Sequence, residues 1–236
     1  MRHRPRPIAL APVLALALVA VGIAGAPSPA VGAPGSPNRT TGPVPSGTTT
    51  VTVVVDGTTR DAVVHVPERV AADPRAAAPL VLHLHGGLGS PEHSIATTGL
   101  LEAAEREGFV VAFPRGTAVA ARPFGADGYV WNAGRCCGLA ARESVDDVAF
   151  LETLVEELAS TLPVDRSRVV MSGHSNGAMM TWRFACEAGG VLAAAMPVAG
   201  SLETADPASC APRDTTLLAV HGDADRNHPI GGGTGE

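Results

Sequence analysis

The hydrophobic pattern changes period along the chain, and its alternation is the first structural information. In "TTTVTVVVDGTTRDAVVHVP" two β-branched runs flank Asp56-Gly57, a dipeptide that favours a two-residue hairpin turn. "PLVLHLHGG" reads as a buried strand running into a glycine-rich turn, "TGLLEAAEREG" as a helix closed by Gly108, and "FVVAFP" as a further strand. Residues 114–145 show no clean period, and a connection of that length is more often functional than a mere link. "SVDDVAFLETLVEELASTL" places Val148, Leu151, Leu154, Val155 and Leu158 on one helical face. Ser144 is expected to cap that helix, with Asp146 and Asp147 at its positive end. "RVVMSG", "AAAMPVAG" and "TTLLAVHGD" read as strands, and "NGAMMTWRFACEAG" as a helix. After the opening hairpin, strands and helices alternate. That order predicts an α/β fold with a mainly parallel sheet covered on both faces.

The N-terminus follows a different rule. Arg2, Arg4 and Arg6 precede an apolar run from Ile8 to Ala24 that ends in small residues, the layout of an export signal over residues 1–30 with cleavage after Ala30. An uncleaved anchor is the competing reading, because the run approaches the length that spans a bilayer. Residues 31–48 are rich in Pro, Gly, Ser and Thr and read as a linker, leaving 49–236 as the folded domain.

Charge narrows the partners. All 17 basic residues are Arg, and removal of the leader leaves 14 of them against 23 acidic residues, a net charge of −9. Nucleic acid and anionic membranes are poor partners for such a chain, and an uncharged substrate suits it better. A monomer is expected, with no membrane contact once the signal is cleaved. No repeat, coiled coil or phosphate-binding glycine loop is present, and no cofactor is called for.

Four cysteines in an exported chain point to disulfides. Cys136 and Cys137 are adjacent, and neighbouring cysteines rarely meet disulfide geometry with each other. The expected arrangement joins one of them to Cys186 and the other to Cys210, with the pairing left open. No Cys-x-x-Cys or His pair stands at zinc-ligand spacing, so no metal site is expected.

The chemistry concentrates in "MSGHSNGAMM". Gly173-His174-Ser175-Asn176-Gly177 has the Gly-x-Ser-x-Gly spacing of a nucleophile elbow, with an apolar strand leading in and a helix leaving at once. The bland reading is an ordinary serine N-cap. The backbone N–H of Asn176 is one oxyanion donor by position, and the N–H of Leu88 or Gly87, in the turn after "LHLHGG", is the second. His85 is expected to hold that turn, and His83 to be a satisfied histidine of the core. Asp225, just past the strand ending in "HGDAD", is the candidate acid, with Asp223 second; His221 is expected to be structural. Phe124, Tyr129 and Trp131 could stack on an aromatic acyl group or pack as part of the wall; Trp131 and Tyr129 are the candidate substrate contacts.

The ordered set "LHLHGG", "WNAGRCCG", "VDDVAFL", "GHSNGAMMTWRFACE" and "HGDADRNHP" resembles the secreted esterase family of polyhydroxybutyrate depolymerases and related feruloyl and acetylxylan esterases, over roughly residues 49–236. The resemblance implies an α/β-hydrolase fold, a nucleophile at Ser175, an acid at Asp225, disulfides involving the cysteine pair, and a hydroxyalkanoate or aromatic-acid ester as substrate. It also implies a histidine well downstream of Asp225. Here the one histidine after Asp225 is His228, three residues on, and too close for the usual placing of acid and base on successive loops. The expectation is therefore a domain without its last strand, last helix and catalytic base. A binding protein that keeps the scaffold without turnover is the alternative from another class.

Overall fold

The computed structural model describes residues 44–119, 128–204, 208, 210 and 214–233. The expected signal (1–30), most of the expected linker and Phe124 lie outside the described residues. Val44 is already buried in the core and the first strand opens at Gly47, two residues ahead of the expected boundary.

Strands β1 (Gly47–Val55) and β2 (Thr58–Val66) form the expected hairpin. Its turn residues Asp56 and Gly57 both have positive φ, 49° and 76°, which matches the twist of the paired strands. After the short helix α1 (Glu68–Ala72) come β3 (Ala78–Leu84), α2 (Pro91–Thr98), α3 (Leu100–Glu107) and β4 (Val110–Pro114). Gly108 closes α3 in the left-handed conformation, its N–H bonded to the carbonyl of Ala104. The 114–145 stretch carries a two-stranded ribbon of β5 (Thr117–Ala118) and β6 (Tyr129–Val130), then α4 (Gly138–Arg142). Next follow α5 (Asp147–Thr161), β7 (Val164–His174), α6 (Asn176–Glu187), β8 (Ala194–Val198) and β9 (Thr216–Leu217). Helix α2 escapes sequence reading because "PEHSIATT" has no apolar stripe; Ser90-Pro91, a cap followed by proline at the first helical position, is its signal.

The main sheet runs β1-β2-β4-β3-β7-β8-β9. The first two junctions are antiparallel and the remaining four parallel. Strand β4 shows why both faces need cover. Val110 and Ala112 belong to the larger core with Leu80, Leu82, Leu84, Val169, Met171 and the apolar faces of α5 and α6. Val111 and Phe113 pack on the other side with Ala104, and with Ile95, Leu100 and Leu101 of α2 and α3. The face of α5 predicted from periodicity is buried as expected. Its cap is Asp146, however, whose carboxylate accepts the Ala149 N–H at 2.9 Å, while Ser144 sits at φ 51° outside the helix.

The cysteine expectation is corrected. Cys186, in the last turn of α6, is joined to Cys210 with Cα atoms 4.8 Å apart, and Cys136 is joined to its neighbour Cys137. Each distal thiol is used by the other. The half-buried vicinal pair is tied down through its backbone, by Ala133 N–H to Cys136 O and Cys137 N–H to Trp131 O. The strand expected over 215–221 shrinks to Thr216–Leu217 plus an isolated bridge between Val198 and Val220. No helix among the described residues is long and apolar enough to cross a membrane.

Chain direction around β3 and β7 locates a crevice. From β3 the chain passes through α2 and α3 to β4 on one side; from β7 it passes through α6 to β8 on the other. Loops leaving two adjacent parallel strands in opposite directions open a gap at their carboxyl ends, where open α/β sheets bind ligands. His83 is paired with Ser172 and Leu84 with Gly173, so the turn after β3 and the elbow after β7 emerge side by side.

Candidate active site

Ser175 occupies the bend between β7 and α6 with φ 52° and ψ −119°. A non-glycine residue in that region is strained by about 1–3 kcal/mol and persists only when its surroundings enforce it. The enforcement is visible: the Ser175 N–H donates to Val198 O and its carbonyl accepts from Met179 N–H, both at 3.0 Å. The side chain makes no cap hydrogen bond. Ser90 shows what a capping serine looks like in the same molecule, with extended backbone and Oγ accepting from His93 N–H at 3.2 Å. The N-cap reading of Ser175 is therefore overturned. Glycines at 173 and 177 are required by close approach, since a Cβ on Gly173 would strike the Gly177 carbonyl, and one on Gly177 would strike the Leu84 and His85 carbonyl oxygens.

Opposite the elbow stands the turn 86–90. Together Gly86, Gly87, Leu88, Gly89, Ser90, His93, His174 and Ser175 line a cavity of about 340 Å³. Among the described residues no acidic side chain lines it. The structure discriminates between the two candidates for the second donor. The Leu88 N–H already donates to Tyr129 O at 2.8 Å, which removes it as an oxyanion donor. Among the described residues the Gly87 N–H is not so engaged, and a Cβ on Gly87 would lie 3.5 Å from Asn176 Cβ. Asn176 opens α6, so its N–H has no carbonyl within the helix to satisfy it.

His85 holds this turn, as expected. The ring is 1% exposed, accepts the Gly116 N–H on Nε2 at 3.1 Å and donates from Nδ1 to Gly86 O at 2.8 Å. Because Gly116 can only donate, the tautomer with the proton on Nδ1 is the one that satisfies both bonds. Burial pushes its pKa down to about 4. His83 is likewise lowered to about 4 by burial, and its Nδ1 meets Ser172 Oγ at 2.9 Å. That pair superficially resembles a serine and its base, but Ser172 is an interior β7 residue, 4% exposed, and a substrate carbonyl cannot reach it.

These two imidazoles make a testable demand on stability. Below 6.5 the unfolded chain takes up protons that the folded chain refuses until about 4. Stability is thus full above 6.5 and falls as pH drops through that window, by about 3 kcal/mol for His85. Asp147 acts in the opposite sense, its carboxyl being raised by burial. Urea denaturation across the window is expected to show a shallower pH slope in His85→Asn than in the parent; equal slopes would contradict the assignment.

Neither Trp131 nor Tyr129, the expected substrate contacts, lines the Ser175 cavity. Trp131 is fully buried, its Nε1–H donating to His85 O at 3.0 Å and its ring stacked on Phe150 at 6.5 Å. Tyr129 borders a separate cavity of about 570 Å³ beyond β2, beneath the Arg115 guanidinium, 5.0 Å from the ring centre. An aromatic in a long loop looks like a binding residue in sequence, and here the core claims one and Arg115 the other. Sequence reading missed His93 as a cavity residue, since α2 carries no pattern.

Asp225 lies just past the last bridge of the sheet. Its Oδ1 accepts the N–H groups of Asn227 and His228, and Oδ2 lies 3.4 Å from His221 Nε2. The His228 and Asn227 N–H bonds and the nearby His221 hold its carboxyl below the ordinary range, so it is ionised at neutral pH. His228 is tied into this turn by its own backbone, with its carbonyl bonded to His221 Nε2. None of these residues lines the Ser175 cavity, and among the described residues no histidine is bonded to Ser175. Asp223 makes no described contact with the site. No group of three or more possible metal ligands occurs among the described residues.

No protein-family model matches the chain. It is 32% identical over 177 residues to feruloyl esterase B of Piromyces equi, covering 74% of this chain and 31% of that protein. It is 28% identical over 166 residues to a bifunctional acetylxylan esterase/xylanase of Neocallimastix patriciarum, covering 70% of this chain and 21% of that one. The chain therefore spans about a third or less of these curated relatives. Among solved structures it is similar to pOPH (TM-score 0.57, 16% identity, 78% of this chain and 70% of that one). It is also similar to an acetyl xylan esterase from Aspergillus awamori (TM-score 0.50, 22% identity, 64% of this chain and 52% of that one). The chain has the α/β-hydrolase fold and is related in sequence to carboxylic-ester hydrolases of the feruloyl and acetylxylan esterase kind.

Proposed function

We propose that the protein is an exported serine carboxylic-ester hydrolase with Ser175 as its nucleophile. The observation that carries this reading is the strained, uncapped Ser175 facing a cavity whose opposite wall presents the Gly87 N–H. Ser175 Oγ attacks the ester carbonyl while a base takes its proton. The oxyanion rests on the N–H groups of Gly87 and Asn176, and the alcohol leaves with the proton. Water then cleaves the acyl-serine, releasing the acid and restoring the hydroxyl. Asp225, held ionised, is the acid in this reading and would orient a histidine base, which none of the described histidines supplies. His93 and His174 line the cavity, but among the described residues neither is bonded to a carboxylate, so neither is oriented for the task. The leader pattern and the Cys186–Cys210 bond favour an extracellular setting.

The sequence relatives favour feruloyl or acetyl esters of a plant polysaccharide over hydroxybutyrate oligomers. The test uses the full natural polypeptide with a fluorophosphonate probe and a panel of p-nitrophenyl acetate, methyl ferulate and hydroxybutyrate oligomers. Labelling at Ser175 with turnover of the first two is the expected result. Absence of both labelling and turnover would favour a binding protein on a hydrolase scaffold, and preference for the oligomers would overturn the substrate assignment.

A further inference from the structure

We propose that the Asn176 side chain is a positioning residue that sets the spacing between the two oxyanion donors, using residues 129–131 as a brace. The inference rests on the esterase reading and adds a part to it. Asn176 supplies a donor through its backbone, which any residue could do, yet its carboxamide is buried and committed. Oδ1 accepts the Trp131 N–H at 2.7 Å, and Nδ2 donates to Trp131 O at 3.1 Å. One side chain thus satisfies both backbone groups of one residue, as a neighbouring strand would. The same stretch is fastened to the opposite wall. Trp131 Nε1–H donates to His85 O at 3.0 Å, Leu88 N–H to Tyr129 O at 2.8 Å, and Tyr129 N–H to Gly89 O at 3.0 Å. Two bonds therefore lead from the brace to the elbow, and three to the turn holding Gly87.

The next residue anchors the brace to the scaffold. Asn132 N–H donates to Asp147 Oδ2 at 2.8 Å, and Asp147 is itself paired with Arg60 at 2.8 Å. Asn132 O accepts from Arg183 of α6 at 2.7 Å. The elbow and the turn leave different strands in opposite directions; the pairing of β3 with β7 and the contact of Gly177 with the end of β3 fix their bases, and this crossbar ties the segments beyond those bases. A donor displaced by an ångström loses most of its value in the transition state while barely affecting substrate binding.

The experiment uses the full natural polypeptide with Asn176→Asp, which keeps volume and acceptor but loses the donor to Trp131 O, and with Trp131→Phe, which removes the indole bond to His85 O, one of the three ties between the brace and the turn. Both are expected to lower kcat about 10- to 100-fold with KM within about two-fold. Inhibition by a trifluoromethyl ketone, whose bound form carries an oxyanion, should weaken by a similar factor, while the matching methyl ketone is unaffected. Amide hydrogen exchange at Leu88 and Tyr129 should accelerate at least about ten-fold relative to Val169 in β7. Folded variants with unchanged kcat and unchanged trifluoromethyl ketone affinity would overturn the proposal, as would a fall in kcat that leaves that affinity untouched. Hydrogen exchange reads the brace without turnover. If the parent fails to label at Ser175, the esterase reading fails; unchanged exchange in both variants fails the brace.

Discussion

Ser175→Ala is expected to abolish fluorophosphonate labelling and to cut ester turnover by about four to six orders of magnitude, as removal of a nucleophile does elsewhere. The useful comparison is Ser172→Ala. Its hydroxyl pairs with His83 inside the sheet, so its removal leaves an imidazole nitrogen without its partner and should cost about 1–3 kcal/mol in stability. Labelling should persist in that variant. The two serines stand three positions apart in one sequence motif, and the contrast between lost chemistry and lost stability separates them. Retained turnover in Ser175→Ala, or labelling lost only in Ser172→Ala, would move the nucleophile.

The second large effect is expected from Gly177→Ala. The added methyl would meet the carbonyl oxygens of Leu84 and His85, the latter at 2.5 Å, and backbone atoms cannot swing aside as a flexible side chain can. The helix would have to withdraw from the end of β3, separating the elbow from the oxyanion turn. A loss of about 3 kcal/mol and a fall of about 6–12 °C in Tm are the expected readings, with turnover falling even at temperatures where the variant is folded. A melting temperature within about 1 °C of the parent would show that α6 does not pack as described.

Much of this was legible in the residues because the relevant signals are local. Asp56-Gly57 specifies a turn by backbone conformation, and Val148 to Leu158 specify a buried helical face by period. Gly173, Ser175 and Gly177 specify a crowded bend by their size. What resisted reading depends on where distant segments meet. Trp131 in a patternless loop resembles a ligand platform until Phe150 is seen stacked upon it. Leu88 and Gly87 are equivalent donors by position, and Tyr129 O decides between them. The cysteine pairing resists reading for a related reason. Rarity of neighbouring disulfides is a fair prior, but the course of the chain after β8 brings Cys210 to Cys186.

The backbone angles of Ser175 have a consequence for anyone evolving this protein in the laboratory. A glycine there would adopt φ 52° and ψ −119° without the penalty that a Cβ incurs. Under the proposed function, a library screened for heat resistance alone would therefore enrich inactive clones at position 175, trading the reaction for a relaxed bend. Any such campaign has to score hydrolysis in the same round as survival.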